Sequence, residues 1–185
     1  DAHILQAKGH RYTVTDLLAG DAELAGKYRH GSFANLYLSP SDYHRIHMPC
    51  AGRLIRMVHV PGSLFSVNPA TARGVPNLFA RNERVICVFE SETFGTFVMV
   101  LVGATIVGSM ATVWHGVVRP QRSGSPSRWD YGAETIEIDK GEEMGRFLLG
   151  STIIMLFENE TINFERDWQP ERPVRLGEPM GALAV

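Results

Sequence analysis

The stretch that most limits the fold is 145–157, Gly-Arg-Phe-Leu-Leu-Gly-Ser-Thr-Ile-Ile-Met-Leu-Phe. An apolar run of this kind reads as buried β structure, yet Gly150, Ser151 and Thr152 break it in the middle. Glycine packs nothing in a strand and often marks a bulge or a close approach. Buried Ser and Thr bring hydroxyls that need partners. The residues allow two readings. The plain one is a β-bulge joining two strand halves. The chemical one is a reactive bond between Gly150 and Ser151. Gly150 leaves its carbonyl open to the Ser151 hydroxyl, and a nearby base can take the hydroxyl proton. An N-to-O acyl shift then gives an ester, and elimination and hydrolysis leave a pyruvoyl group at residue 151. A hydrolase elbow of the Gly-x-Ser-x-Gly type is absent, because 149–153 reads Leu-Gly-Ser-Thr-Ile. The tripeptide alone does not decide between the two.

The rest of the chain is a series of short strand-like segments between turn residues. Residues 84–89 form a β-branched buried strand, with 96–102 as its hairpin partner. Further strands are expected at 32–38, 52–60, 135–138 and 161–164, across 104–113, and last at 174–177. Residues 4–14 read as a strand with a turn around Lys8-Gly9-His10. Thr15 is expected to cap a short helix that Gly20 stops, and 21–28 forms another helical piece. Ser39-Pro40-Ser41-Asp42, Pro61-Gly62, 121–131 and Lys140-Gly141-Glu142-Glu143 read as turns or loops. The pattern predicts an α+β, β-rich fold, an antiparallel barrel- or sandwich-like core with a few short helices, in one domain over 1–185.

Composition narrows the function. A formal net charge of −2 carries no basic footprint, which points away from nucleic acid. Cys50 and Cys87 make neither a disulfide framework nor a CxxC pair, and both read as buried, inert thiols in a reducing compartment. The apolar run 97–110 is too short to span a bilayer and contains Gly103, Gly108 and Ser109. The chain opens at Asp1 without a signal peptide or initiator Met, and is expected to be a fragment lacking its N-terminal part. His44 and His47 stand three apart, which on a helix shares a face. The pair can be read as loop histidines, as acid–base groups, or as half a metal site whose further ligands the sequence does not supply. No metal is expected.

Several stretches taken together resemble phosphatidylserine decarboxylase of the bacterial and mitochondrial type. They are Lys8-Gly9-His10-Arg11-Tyr12, Tyr43-His44-Arg45-Ile46-His47-Met48-Pro49, Leu64-Phe65-Ser66-Val67-Asn68, Asn77-Leu78-Phe79-Ala80-Arg81-Asn82-Glu83-Arg84, Val102-Gly103-Ala104 and Leu149-Gly150-Ser151-Thr152, in the family's order. The resemblance implies self-cleavage between Gly150 and Ser151 into a 1–150 chain and a 151–185 chain, with a covalent pyruvoyl cofactor derived from Ser151. It implies that His47 is the base for self-cleavage, that His44 serves decarboxylation, and that Leu64, Phe65, Ser66 and Val67 bind substrate. The implied reaction converts phosphatidylserine in a membrane to phosphatidylethanolamine and CO2 through a Schiff base. The family pattern also implies a homodimer, peripheral on the cytoplasmic face of the inner membrane. The family's orienting Asp, from an Asp-Gly motif upstream of the Lys-Gly segment, has no counterpart here. The competing reading from another class is a non-catalytic β-rich binding module, or an inactive unprocessed fragment of such an enzyme.

Overall fold

The computed structural model describes residues 2–7, 10–105, 109–119 and 124–184. The chain begins with the hairpin β1 (His3–Ala7) and β2 (His10–Thr13), then α1 (Val14–Leu17) and α2 (Ala22–Gly26). Next come β3 (Ser32–Leu38), β4 (Arg45–His47) and β5 (Gly52–Val60), followed by α3 (Pro69–Gly74) and α4 (Leu78–Arg81). The middle of the chain forms β6 (Arg84–Ser91), β7 (Gly95–Val102), β8 (Met110–Thr112), β9 (Gly116–Val117), β10 (Ser127–Asp130) and β11 (Glu137–Ile138). It ends with β12 (Glu143–Phe147), β13 (Ser151–Phe157), β14 (Ile162–Phe164) and β15 (Gly181–Leu183).

The centre is a seven-stranded antiparallel sheet in the order β10-β5-β6-β7-β13-β3, with β11 also paired to β5. Its inner strands are apolar on both faces because both faces are covered. In β6, Val85, Cys87 and Phe89 turn to one side and Ile86 and Val88 to the other, and all are buried. The first side packs with Ile46, Met110, Met144 and Phe147 of a four-stranded outer sheet ordered β4-β12-β8-β9. The second side packs under the short helices and the β1–β2 hairpin through Tyr12, Leu17, Leu24, Leu78 and Phe79. The β-rich, antiparallel, sandwich-like expectation holds, with the few helices gathered on one face.

Arg84 fastens those helices to the sheet. It is 3% exposed, and its guanidinium donates to the carbonyls of Asp16 (2.8 Å), Leu17 (2.8 Å), Ala80 (2.7 Å) and Asn82 (3.1 Å). These carbonyls lie at or just past the C-terminal ends of α1 and α4, where backbone acceptors are unsatisfied and a cation is welcome. Burial pulls the guanidinium down to about 10, with the Asp16 charge opposing, so it stays charged at neutral pH.

Several local expectations are revised. α1 starts at Val14 and is capped by Thr13, whose Oγ1 accepts from Asp16 N at 3.0 Å, not by Thr15. The 121–131 segment is not all loop, because Ser127–Asp130 pairs with β5 as an edge strand. Of 104–113, Met110–Thr112 is strand and 106–108 lie outside the described residues, as do Lys8, Gly9 and 121–123. Residues 174–177 are irregular and largely exposed; the last strand is Gly181–Leu183. The 145–157 run is not one strand with a bulge but two strands in different sheets.

Removing the Arg84 side chain takes a donor from four carbonyls, those of Leu17 and Asn82 in buried bonds and those of Asp16 and Ala80 in part-buried ones. Arg84→Ala should lower stability by on the order of 3 kcal/mol, and Arg84→Lys should recover only part of it, because one ammonium cannot fork to four acceptors. Urea unfolding of the two variants measures both. Burial pushes the Cys50 thiol up to about 11, against a contact with Ser91, and pushes Cys87 up further. Both should resist iodoacetamide at neutral pH in the native protein and react fully in denaturant.

Candidate active site

The break at Gly150-Ser151-Thr152 is a corner where the chain leaves one sheet for the other. β12 ends in the outer sheet, where Phe147 N donates to His44 O (2.9 Å) and Leu148 N to Ser109 O (2.7 Å). After a bend over 148–150, β13 enters the central sheet at Ser151, opposite Leu38. Leu148 is 57% exposed, whereas Ser151 and Thr152 are fully buried. The Ser151 hydroxyl reaches back across its own peptide bond and donates to Leu149 O at 3.0 Å. The corner demands a glycine for space. A Cβ on Gly150 would come within 3.0 Å of Leu38 O and Pro40 N. Gly145 has the same constraint in β12, with Ala111 O at 2.5 Å from its missing Cβ.

His47 lies on a strand and His44 just before it, so the shared face that a helix would give them does not arise. Strand alternation sends His44 inward with buried Ile46 and His47 outward with Arg45. Arg45 pairs with Glu143 there. His44 Nε2 lies 3.3 Å from Pro40 O, and Pro40 is the residue packed against Gly150. A carbonyl only accepts, so Nε2 carries the hydrogen, and the buried Nδ1 has no partner among the described residues. His47 has the opposite arrangement. Its Nδ1 donates to Gly141 O at 2.7 Å, and its Nε2 meets the Tyr43 hydroxyl at 2.8 Å, with the two rings stacked 5.7 Å apart. The structure therefore joins His44 to the corner through Pro40 and holds His47 between Tyr43 and Gly141.

The 64–67 segment lies at the same end of the central sheet. Asn82, fully buried, donates to Phe65 O (2.8 Å) and Gly103 O (3.0 Å), which ties the segment to the end of β7. Thr105 N donates to Leu64 O (3.2 Å). Leu64 is half-buried, Phe65 is 37% exposed beneath the Arg81 guanidinium (5.0 Å), Ser66 is exposed, and Val67 is buried in the helix-side core. Val67 thus anchors the segment, and Leu64, Phe65 and Ser66 offer the open surface.

The arrangement brings a hydroxyl onto its own peptide bond, a tight glycine before it and His44 beside it through Pro40, while His47 stands farther along the outer sheet, opposite Glu143. Buried polar atoms of Thr152 (Oγ1), Ser109 (Oγ) and His44 (Nδ1) have no partner among the described residues. Unpaired buried polar atoms are costly and collect where a ligand or reacting group completes them. A small polar group at position 151 would share the outer-sheet side with Ser109, whereas strand alternation turns Thr152 to the helix side. Sequence reasoning missed Pro40, Tyr43, Gly141 and Ser109. Tyr43 stands four residues before His47, but an extended strand would carry the two apart, and it is the turn of the chain just before Arg45 that lets their rings meet. Among the described residues no three His, Cys, Asp or Glu side chains gather as for a metal ion, and no helix is long and apolar enough to cross a membrane.

Residues 1–182 match the family described as phosphatidylserine decarboxylase. The chain is 68% identical over 181 residues to the phosphatidylserine decarboxylase proenzyme of Variovorax paradoxus (strain S110), covering 98% of this chain and 64% of that protein. It is 68% identical over 180 residues to the proenzyme of the same name from Azoarcus sp. (strain BH72), covering 97% and 62%. With that of Dechloromonas aromatica (strain RCB) it shares 65% over 181 residues, covering 98% and 64%. The chain thus spans a little under two thirds of the length of these relatives. A match over nearly every residue shows that the chain belongs to the phosphatidylserine decarboxylase family.

Proposed function

We propose that this chain is the pyruvoyl-forming core of a decarboxylase that converts phosphatidylserine to phosphatidylethanolamine and CO2, and that it cleaves itself between Gly150 and Ser151. The observation that carries the reading is the buried Ser151 hydroxyl, folded back over the Gly150-Ser151 bond at the sheet corner. Cleavage there gives a 1–150 chain and a 151–185 chain. Once formed, the pyruvoyl group supplies a carbonyl that captures the substrate amine and accepts the electron pair left behind by CO2.

This chain's own residues have separate tasks. His47 is the base for self-cleavage. The Gly141 carbonyl fixes the hydrogen on Nδ1 and leaves Nε2 basic. Tyr43, half-exposed and bonded to Nε2, must release that nitrogen first. The carbonyl takes the orienting part that the family pattern gives to an Asp. His44, held to Pro40 beside Gly150, serves decarboxylation by stabilising charge and delivering a proton. Leu64, Phe65 and Ser66 meet the substrate's apolar and polar parts, with Val67 as their anchor. The substrate is a membrane lipid, so the working protein is peripheral on the cytoplasmic face of the inner membrane, and it is a homodimer.

Intact mass spectrometry of the full-length gene product tests the reading. Two chains cut between Gly150 and Ser151, with a pyruvoyl mass on the second, are expected; one uncut chain sinks it. Ser151→Ala and His47→Ala should abolish the cut. His44→Ala should cleave yet release no CO2 from phosphatidylserine vesicles. A variant set in which His44→Ala blocks cleavage and His47→Ala does not would reverse the two roles. Gly150→Ala forces a methyl against Leu38 O and Pro40 N. It should destabilise the precursor by about 1–3 kcal/mol and slow the cut, as read by thermal melting and by the half-time of chain separation.

A further inference from the structure

His59 and Glu83 form a buried pair that the scheme above leaves unused. His59 Nε2 lies 2.9 Å from Glu83 Oε1, and the side chains are 0% and 3% exposed. His59 Nδ1 and Glu83 Oε2 each lack a partner among the described residues. A buried carboxylate with an idle oxygen costs stability, so its position is informative. Gly103 N donates to Glu83 O at 2.8 Å, which carries the β6–β7 ladder one step past Arg84 and Val102. Val102 faces Thr152 of β13, so the next position sets Gly103 beside Ser151. Glu83, Gly103 and Ser151 therefore make a row across the end of the central sheet. Alternation turns all three to the side of Val85, Leu101 and Ile153, which faces the outer sheet.

Gly103 has no side chain, and the Met110 methyl packs 3.2 Å from where its Cβ would be. Ser109 lies over the same position. Its Oγ lies 3.4 Å from where a Gly103 Cβ would be, it is 1% exposed, and it has no partner among the described residues. Its carbonyl accepts from Leu148 N, which ties it to the corner. The set is thus a hydroxyl, a carboxylate and an imidazole, all buried, on the face that carries the Ser151 side chain.

Self-cleavage, on the reading proposed above, needs two proton movements. The hydroxyl gives one up, and the amide nitrogen must gain one before the C–N bond breaks. His47 serves the first. We propose that Ser109 serves the second, with Glu83, held by His59, as the positioning residue behind it. In the tetrahedral adduct the nitrogen is no longer conjugated with the carbonyl. Its electron pair then projects toward a face of the sheet. The Ser109 hydroxyl proton moves to the nitrogen as the C–N bond breaks and its electrons pass to nitrogen. Ser109 Oγ and Glu83 Oε2 are not bonded to each other in this structure, so the proton shared across the His59–Glu83 contact replaces it on Ser109 through one bridging water, which gives up and regains a proton. His47 has gained the proton that the pair has lost, so the step balances without an oxidant or co-reactant.

A time course of full-length precursor made in cell-free synthesis, read by intact mass, tests this. Ser109→Ala, which deletes one oxygen, and Glu83→Gln should each slow the cut roughly tenfold or more without lowering the melting temperature. Sodium formate, but not sodium chloride at equal ionic strength, should speed the cut in Glu83→Ala, an effect that a purely structural glutamate would not produce. Cleavage of Ser109→Ala and Glu83→Gln at the unmodified rate overturns the inference, as does a folded, slow Glu83→Ala that formate does not accelerate. An unmodified precursor that never cuts fails the self-cleavage reading and takes this inference with it. One that cuts while the variants keep pace fails this inference alone.

Discussion

Between β5 and β3 the strands β6, β7 and β13 have no solvent face. One side is roofed by the outer sheet through Met110, Met144 and Phe147, and the other by the helices and hairpin through Tyr12, Leu17 and Phe79. Apolar burial on both sides is what allows runs such as Val98-Met99-Val100-Leu101 to exist in a chain that is otherwise unremarkably polar. It also sets the terms for the sheet ends. Once the middle rows are sealed, any polar group at the next row is buried with them and must find a partner inside the protein.

That pressure concentrates at one end. Asn82, Glu83, Arg84, His59, Ser109, Ser151 and Thr152 are all buried there. Arg84 answers with a set of backbone carbonyls, and the Asn82 amide nitrogen with two more, although Asn82 Oδ1 has no partner among the described residues. Glu83, Ser109 and Thr152 keep unanswered atoms. Folded proteins break their own rules of polar satisfaction chiefly at functional sites, and Ser109 and Thr152 stand beside the one peptide bond whose flanking hydroxyl turns back on it.

Much of the architecture was legible because the signal was periodic and two-sided. The expected strands at 32–38 and 52–60 coincide with β3 and β5, and the hairpin at 84–102 with β6 and β7. What failed had competing physics. His44 and His47 satisfy a helical spacing, but Phe147 N and the β12 edge recruit their backbone into a strand, which sends the two rings apart. The 127–130 edge strand hides in a segment rich in Ser, Pro and Arg, because pairing with β5 needs backbone groups more than apolar side chains. Val174 and Leu176 look like strand residues, yet Gly181–Leu183 takes the partner β14 instead. At the site, Gly150, Ser151 and the histidines stood out as residue types. Pro40 and Gly141 contribute backbone carbonyls, and Ser109 is set beside the corner by the fold, which no residue pattern announces.

The sheet change at 148–150 has a mechanical consequence. β13 is an interior strand, paired to β3 from Ser151 to Phe157 and to β7 from Thr152 to Phe157. β12 is held independently in the other layer by β4 and β8. A backbone opened at this corner would separate two pieces that are each already clasped by neighbours. Neither end would gain the freedom that a severed surface loop acquires, and the new terminus at position 151 would remain as fixed as a mid-strand residue.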